Sequence, residues 1–200
     1  MGAWHQFCIW LSYIYMGRRM RIIISNSIYH VSDRINNHNR WFEEKDACEL
    51  YLAFLYEQKL KNKFKIFSFC LMPTHNHQII QTDDRVATLD EVMHDLNGGF
   101  AKIFHKLKGE RGRFWSERYS SRPLLDEKEL WMTLKYIADN PVKAELVKDP
   151  LDYEYNSIRN LQTGDFQYIL DPLPHDLEER LIQEYKIFSR TKMLSIGKLN

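Results

Sequence analysis

The chain has 200 residues, 44% of them hydrophobic and 28% charged, with a formal net charge of +1. Those values fit one soluble globular domain with an appendage, and a charge so near zero leaves nucleic-acid binding to local patches rather than to the whole surface. Three widely spaced cysteines, Cys8, Cys48 and Cys70, exclude a disulfide framework and a Cys-x-x-Cys metal site and suit a reducing cytoplasm.

Ala3 to Tyr15 is mostly apolar and aromatic, with Arg18-Arg19 behind it. The stretch is too short for a membrane span, which needs ~20 residues, and its positive charge follows the apolar part, the reverse of a signal peptide. Residues 1–19 are therefore read as an N-terminal extension outside the core fold, with Met16 and Met20 as alternative starts. Ile28-Tyr29-His30-Val31 alternates as a strand does, and the polar run Arg34 to Arg40 predicts a loop. Asp46 to Lys61 carries Ala47, Leu50, Tyr51, Phe54 and Leu55 at helical spacing. A strand over 64–72 follows, then Pro73-Thr74, which is expected to break or bulge the pairing with a strand running from His75 to about Thr82.

Thr88 and Glu91 form a capping box for a helix through Leu107, whose Gly98-Gly99 pair invites a kink or a close backbone approach. Lys102, Lys106, Lys108, Arg111 and Arg113 make its end basic, as a solvated face or as phosphate contacts. Phe114 to Leu125 reads as a strand mixing aromatic and basic residues. Asp126-x-x-Glu129 opens a helix that Asn140-Pro141 is expected to end. Residues 161–200 form a C-terminal extension, turn-rich at first, with a helix over 178–189; His175-Asp176 stands without supporting ligands. The order strand, helix, strand, strand, helix, strand predicts an α+β fold: an antiparallel sheet of four to five strands with helices on one face, related to the ferredoxin-like pattern.

His75 and His77 stand two apart on the same predicted strand and so point to one face, where a divalent metal could sit. Two half-buried, hydrogen-bonded imidazoles are the alternative. Tyr136 and Asn140, four apart, share a helix face. Two imidazoles and an amide oxygen can hold a Lewis acid at a phosphoryl group, and a tyrosine can attack the phosphorus. A phenol of ordinary pKa near ~10 needs positive charge nearby, from the metal or from Lys135 or Lys143.

Leu71-Met72-Pro73-Thr74-His75-Asn76-His77 resembles the Met-Pro-x-His-x-His motif of the HUH single-tyrosine transposases. Tyr136-Ile137-Ala138-Asp139-Asn140-Pro141-Val142-Lys143-Ala144 resembles the Tyr-Ile-x-x-Asn-Pro-Val-x-Ala motif of their REP-associated branch. Ile28 to Arg34, Phe114 to Tyr119 and Asp152 to Ser157 are similar to further stretches of that branch, so the likeness covers residues 20–158. It implies a transposase domain over 20–160 that cleaves single-stranded DNA beside hairpins. Tyr136 would be the nucleophile and form a 5′-phosphotyrosine. His75, His77 and Asn140 would bind Mg²⁺ or Mn²⁺, and Arg118, Arg113, Lys102 and Lys106 would contact DNA. The chain would act in the cytoplasm as a monomer or homodimer, without a membrane. His30 is read as structural, beside the site. Asn76 departs from the family's bulky apolar residue; it faces away from the metal, and a buried amide there must find hydrogen bonds. A catalytically silent hairpin-binding protein and a phosphodiesterase using activated water are the competing functions.

Overall fold

The computed structural model describes residues 24–174 and 176–187; the N-terminal extension, His175 and the end of the last expected helix lie outside the described residues. Strands β1 (Ile28–Arg34), β2 (Lys65–Met72), β3 (His75–Gln81) and β4 (Ser120–Leu124) form one antiparallel sheet in the order β2-β3-β1-β4. Helices α1 (Lys45–Asn62), α2 (Leu89–Lys108), α3 (Glu127–Lys143), α4 (Ser157–Thr163) and α5 (Leu177–Glu184) complete the α+β architecture among the described residues. The strand order is that of the ferredoxin-like pattern.

Side chains alternate across each strand, and here both faces are apolar. Tyr29, Val31, Phe69, Leu71 and Ile80 pack on the front with α1 and α2. Cys70, Met72, Ile79 and Leu124 pack on the back with Leu130, Leu134, Ile137 and Ala138 of α3 and Leu177 and Leu181 of α5. The expectation of helices on one face describes α1 and α2; α3 to α5 add a second layer. The physical reason is the nearly unbroken apolar run of β2, buried from Ile66 to Met72, which needs cover on both sides.

Three local expectations are corrected. Pro73-Thr74 does not break the ladder: it is the two-residue turn between the paired Met72 and His75, where a missing donor costs nothing. The irregularity lies instead at Phe67, between Ile66 opposite Ile80 and Ser68 opposite Ile79. Phe114 to Tyr119 is not strand beyond a single bridge from Trp115 to Ile35. Adjacent Phe114 and Trp115 both turn into the aromatic cluster of Phe42 and Phe100, which strict alternation forbids. Finally, α3 runs through Pro141 to Lys143. So near the helix end the proline removes one backbone bond; the helix ends at Lys143 and the backbone turns at Glu145 (φ 57°), where Leu146 N–H donates to Pro141 O and Glu145 N–H to Val142 O.

The capping box at Thr88 and Glu91 forms as the sequence predicts. At the start of α3, Asp126 accepts from Glu129 N–H, while the Glu129 carboxylate accepts from Leu125 N–H, one residue earlier than a box requires. Gly99 is a close approach: a Cβ there would lie 2.5 Å from Phe54 Cζ of α1.

Candidate active site

β3 places His75 and His77 on the back face, and the antiparallel register of β1 brings His30 beside them, with Ser32 opposite His77. The His75 and His77 rings are 5.0 Å apart, and those of His30 and His77 5.1 Å. His30 Nε2 lies 3.1 Å from His77 Nδ1, and Thr74 Oγ1 lies 3.1 Å from His75 Nδ1. From α3, the Tyr136 ring meets His77 edge-on at 5.4 Å and His30 at 5.9 Å. Helix packing buries Ile137 and Ala138 next door, yet Tyr136 stays 42% exposed. It thus touches the histidines and faces solvent, as a group that must meet a large substrate requires.

Burial holds all three imidazoles below the ordinary histidine range. His77 is pushed down to about 3, with the neighbouring His30 and His75 adding to the effect of burial. His30 is pushed down to about 4 by burial and then by the Arg122 guanidinium, and His75 is lowered by burial and Arg34. At neutral pH the histidines are uncharged and able to ligate.

Among the described residues, no three or more His, Cys, Asp or Glu side chains form a metal-holding cluster. A closed zinc-type shell is therefore not built here. Two neutral imidazoles leave most positions of a divalent ion open, and a hard ion there would complete its shell with oxygen donors such as water and phosphate. The Asn140 side-chain nitrogen is buried without a hydrogen-bond partner, so its amide is not committed to the helix packing.

Of the two candidate lysines, Lys143 Nζ sits 5.1 Å over the Tyr136 ring, whereas Lys135 pairs with Glu184. The expected DNA contacts are not gathered at the histidines. Lys102 and Lys106 ride on α2, which packs against the front face, and with Arg113 they form no ion pair among the described residues. Arg118 pairs with Asp90 at 2.8 Å on the wall of a cavity of about 390 Å³ that Trp115, Asn97 and Gly98 also line. Asn76 points to the front and is fully buried. Its Nδ2 donates to Tyr51 Oη at 3.1 Å, and Gln78 Nε2 donates to the same oxygen at 2.5 Å. The partner of its nitrogen thus comes from α1, while Asn76 Oδ1 and Gln78 Oε1 are buried without a partner among the described residues.

His30 is the residue whose place the sequence alone does not give. Its contact with His77 depends on the β1–β3 register, and its only local signal is a third histidine on an adjacent predicted strand.

Among solved structures, a REP-associated tyrosine transposase bound to a REP hairpin aligns with TM-score 0.61 and 18% identity, over 80% of this chain and 94% of that one. A putative transposase from Deinococcus radiodurans R1 aligns with TM-score 0.44 and 15% identity, over 62% of this chain and 97% of that one. A tRNA(His) guanylyltransferase from Saccharomyces cerevisiae aligns with TM-score 0.43 and 10% identity, over 90% and 86% of the two chains. No curated protein matches the sequence. The first of these likenesses is one of fold. Residues 23–140, more than half of the chain and the part that carries the three histidines, Tyr136 and Asn140, match the family described as "Transposase IS200 like", and the chain belongs to the IS200-like transposase family.

Proposed function

We propose that this protein is a metal-dependent single-stranded DNA endonuclease and strand transferase that cleaves beside hairpin DNA. The observation that carries the reading is the meeting of Tyr136 with His77 and His30 on the back of the sheet, with the Lys143 ammonium over the phenol ring. Family membership and the hairpin in the REP-associated relative support DNA as the substrate.

His75, His77 and Asn140 would hold Mg²⁺ or Mn²⁺, which when bound supplies Lewis-acid polarisation of the scissile phosphate. Tyr136 Oη attacks the phosphorus. The bond from phosphorus to the 3′-oxygen breaks, and the 5′-phosphate stays on the tyrosine while the 3′-oxygen leaves and takes up a proton. Lys143 stabilises the phenolate as the phenol proton departs. Attack of a 3′-OH on the phosphotyrosine reverses the step and joins strands. Lys102, Lys106, Arg113 and Arg118 contact phosphates of the flanking duplex and single strand. The reaction belongs in the cytoplasm, and no described helix is long and apolar enough to cross a membrane.

The test is incubation with a hairpin oligonucleotide carrying single-stranded flanks and Mn²⁺. A protein–DNA adduct stable to denaturant, absent from Tyr136→Phe and accompanied by a free 3′-OH, is expected. Shifted but uncut DNA would mark a binding protein, and cleavage persisting in Tyr136→Phe would mark hydrolysis by water.

A further inference from the structure

His75 and His77 have their Nδ1 atoms engaged in the same way, by a neighbouring side chain. Thr74 Oγ1 takes one at 3.1 Å and His30 Nε2 the other at 3.1 Å. Neither Nε2 forms a hydrogen bond among the described residues. A neutral imidazole carries one proton, and a metal needs the other nitrogen bare. If Nδ1 is the protonated nitrogen, Nε2 carries the free electron pair, and both rings lie on the back face.

We propose that His30 and Thr74 are positioning residues that fix the Nδ1–H tautomer and the ring orientation of His77 and His75. His77 Nδ1–H donates to His30 Nε2, and His75 Nδ1–H donates to Thr74 Oγ1. His30 therefore carries its own proton on Nδ1. The inference rests on the reading of His75 and His77 as metal ligands. Three features of the fold make the arrangement. The two-residue turn puts Thr74 next to His75, the alternation of β3 puts His77 on the same face, and the β1 register sets His30 across from it. Burial preserves it: His77 is only 7% exposed, so water competes poorly for its Nδ1. The 3.1 Å separation also suits two nitrogens on one metal ion. That alternative puts the metal on His77 Nδ1 rather than Nε2, and the experiment separates the two.

The experiment measures Mn²⁺ affinity of the full chain by calorimetry, for the unmodified protein and for His30→Leu, His30→Gln and Thr74→Val. Tautomers are read from the ¹⁵N shifts and long-range couplings of the histidine rings in metal-free protein. His30→Leu is expected to weaken Mn²⁺ binding about 10- to 100-fold, the range typical of lost outer partners of metal-bound histidines. His30→Gln keeps an acceptor oxygen near the position of Nε2 and is expected to stay within about threefold of the unmodified protein. Thr74→Val is expected to weaken binding by a smaller factor, because His75 is more exposed and water can replace the hydroxyl. The His77 resonances should show Nδ1–H in the unmodified protein and in His30→Gln, and a tautomer mixture in His30→Leu. Hairpin binding in chelator should not change in any variant.

Unchanged Mn²⁺ affinity in His30→Leu, or an Nε2–H tautomer of His77 in the unmodified protein, overturns the inference and leaves the functional reading standing. Equal loss in His30→Leu and His30→Gln, with three rather than two histidine nitrogens seen on Mn²⁺ by electron-spin-echo spectroscopy, makes His30 a ligand and also overturns it. No Mn²⁺ binding by the unmodified protein overturns the metal reading and this inference with it.

Discussion

At the scale of single residues, charge and protonation decide what the site can do. Lys143 Nζ lies 5.1 Å from the centre of the Tyr136 ring, close enough for its charge to favour a phenolate there, with water screening part of the effect. Lys143→Ala is therefore expected to slow adduct formation about tenfold in single-turnover assays with Mn²⁺, while Lys135→Ala, which removes the partner of Glu184, leaves that rate within about twofold. Equal slowing by the two would assign the effect to helix stability instead. Protonation has a definite sign. His30 and His77 sit near 4 and 3 in the folded chain against ~6.5 unfolded, so between pH ~6.5 and ~4 the unfolded chain binds protons that the folded site refuses. Stability of the metal-free protein should fall as the pH drops through that window and gain nothing from these groups above it. Urea midpoints at pH 7.5, 5.5 and 4.5 check this, and His77→Asn should flatten the slope. The sequence makes His75, His77 and Tyr136 legible because a period of two and a motif place them. The His30–His77 contact spans 47 positions and depends on register, which no local pattern states.

Single elements show which local rules carried and which were overridden. The cap of α2 is written in Thr88 and Glu91 and forms with both hydrogen bonds, because capping needs only residues within one turn. The end of α3 is not so written. Asn140-Pro141 is a stop by local preference, yet the helix continues, since Ile137 and Ala138 pack against the sheet, Pro141 is itself buried, and the backbone closes later at Glu145. The glycine pair in α2 separates the two effects a glycine can have. A Cβ added at Gly98 would meet nothing within 4 Å, so Gly98→Ala should raise stability by ~0.5–1 kcal/mol through helix propensity. Gly99→Ala gains the same propensity but drives a methyl into the Phe54 ring, and overpacking of ~1–3 kcal/mol wins. Denaturant midpoints of the two variants should move in opposite directions; the same direction for both would mean that α1 yields freely at Phe54.

Over the whole molecule, the C-terminal segment belongs to the body that carries the tyrosine. Residue 160 lies inside α4, and chain on both sides of it packs on the sheet. The helix that carries Tyr136 is gripped along its length: Arg180 pairs with Glu127 at 2.7 Å, Glu184 with Lys135, Tyr185 Oη donates to Asp139 at 2.7 Å, and Asn156 Nδ2 donates to Ala138 O at 2.9 Å. These contacts come from the same chain, so Tyr136 should serve the histidines of its own chain. Mixing Tyr136→Phe with His77→Ala is expected to give no adduct above that of each variant alone. Restored cleavage in the mixture would mean that protomers exchange α3. The order of strands and helices is legible in the sequence, because each element has its own period. The role of α5 as a wall of the second core is not, because its partners on α3 lie some 46 to 53 positions away.

The strict alternation along β3 has a further consequence. Successive side chains from His75 to Gln78 belong by turns to the back and to the front, with the two amides anchored on the Tyr51 hydroxyl. The distance between chemistry and scaffold is thus one peptide unit. A lesion in the buried layer under α1 would displace the histidines without touching them, because they have no loop in which to drift independently of the core.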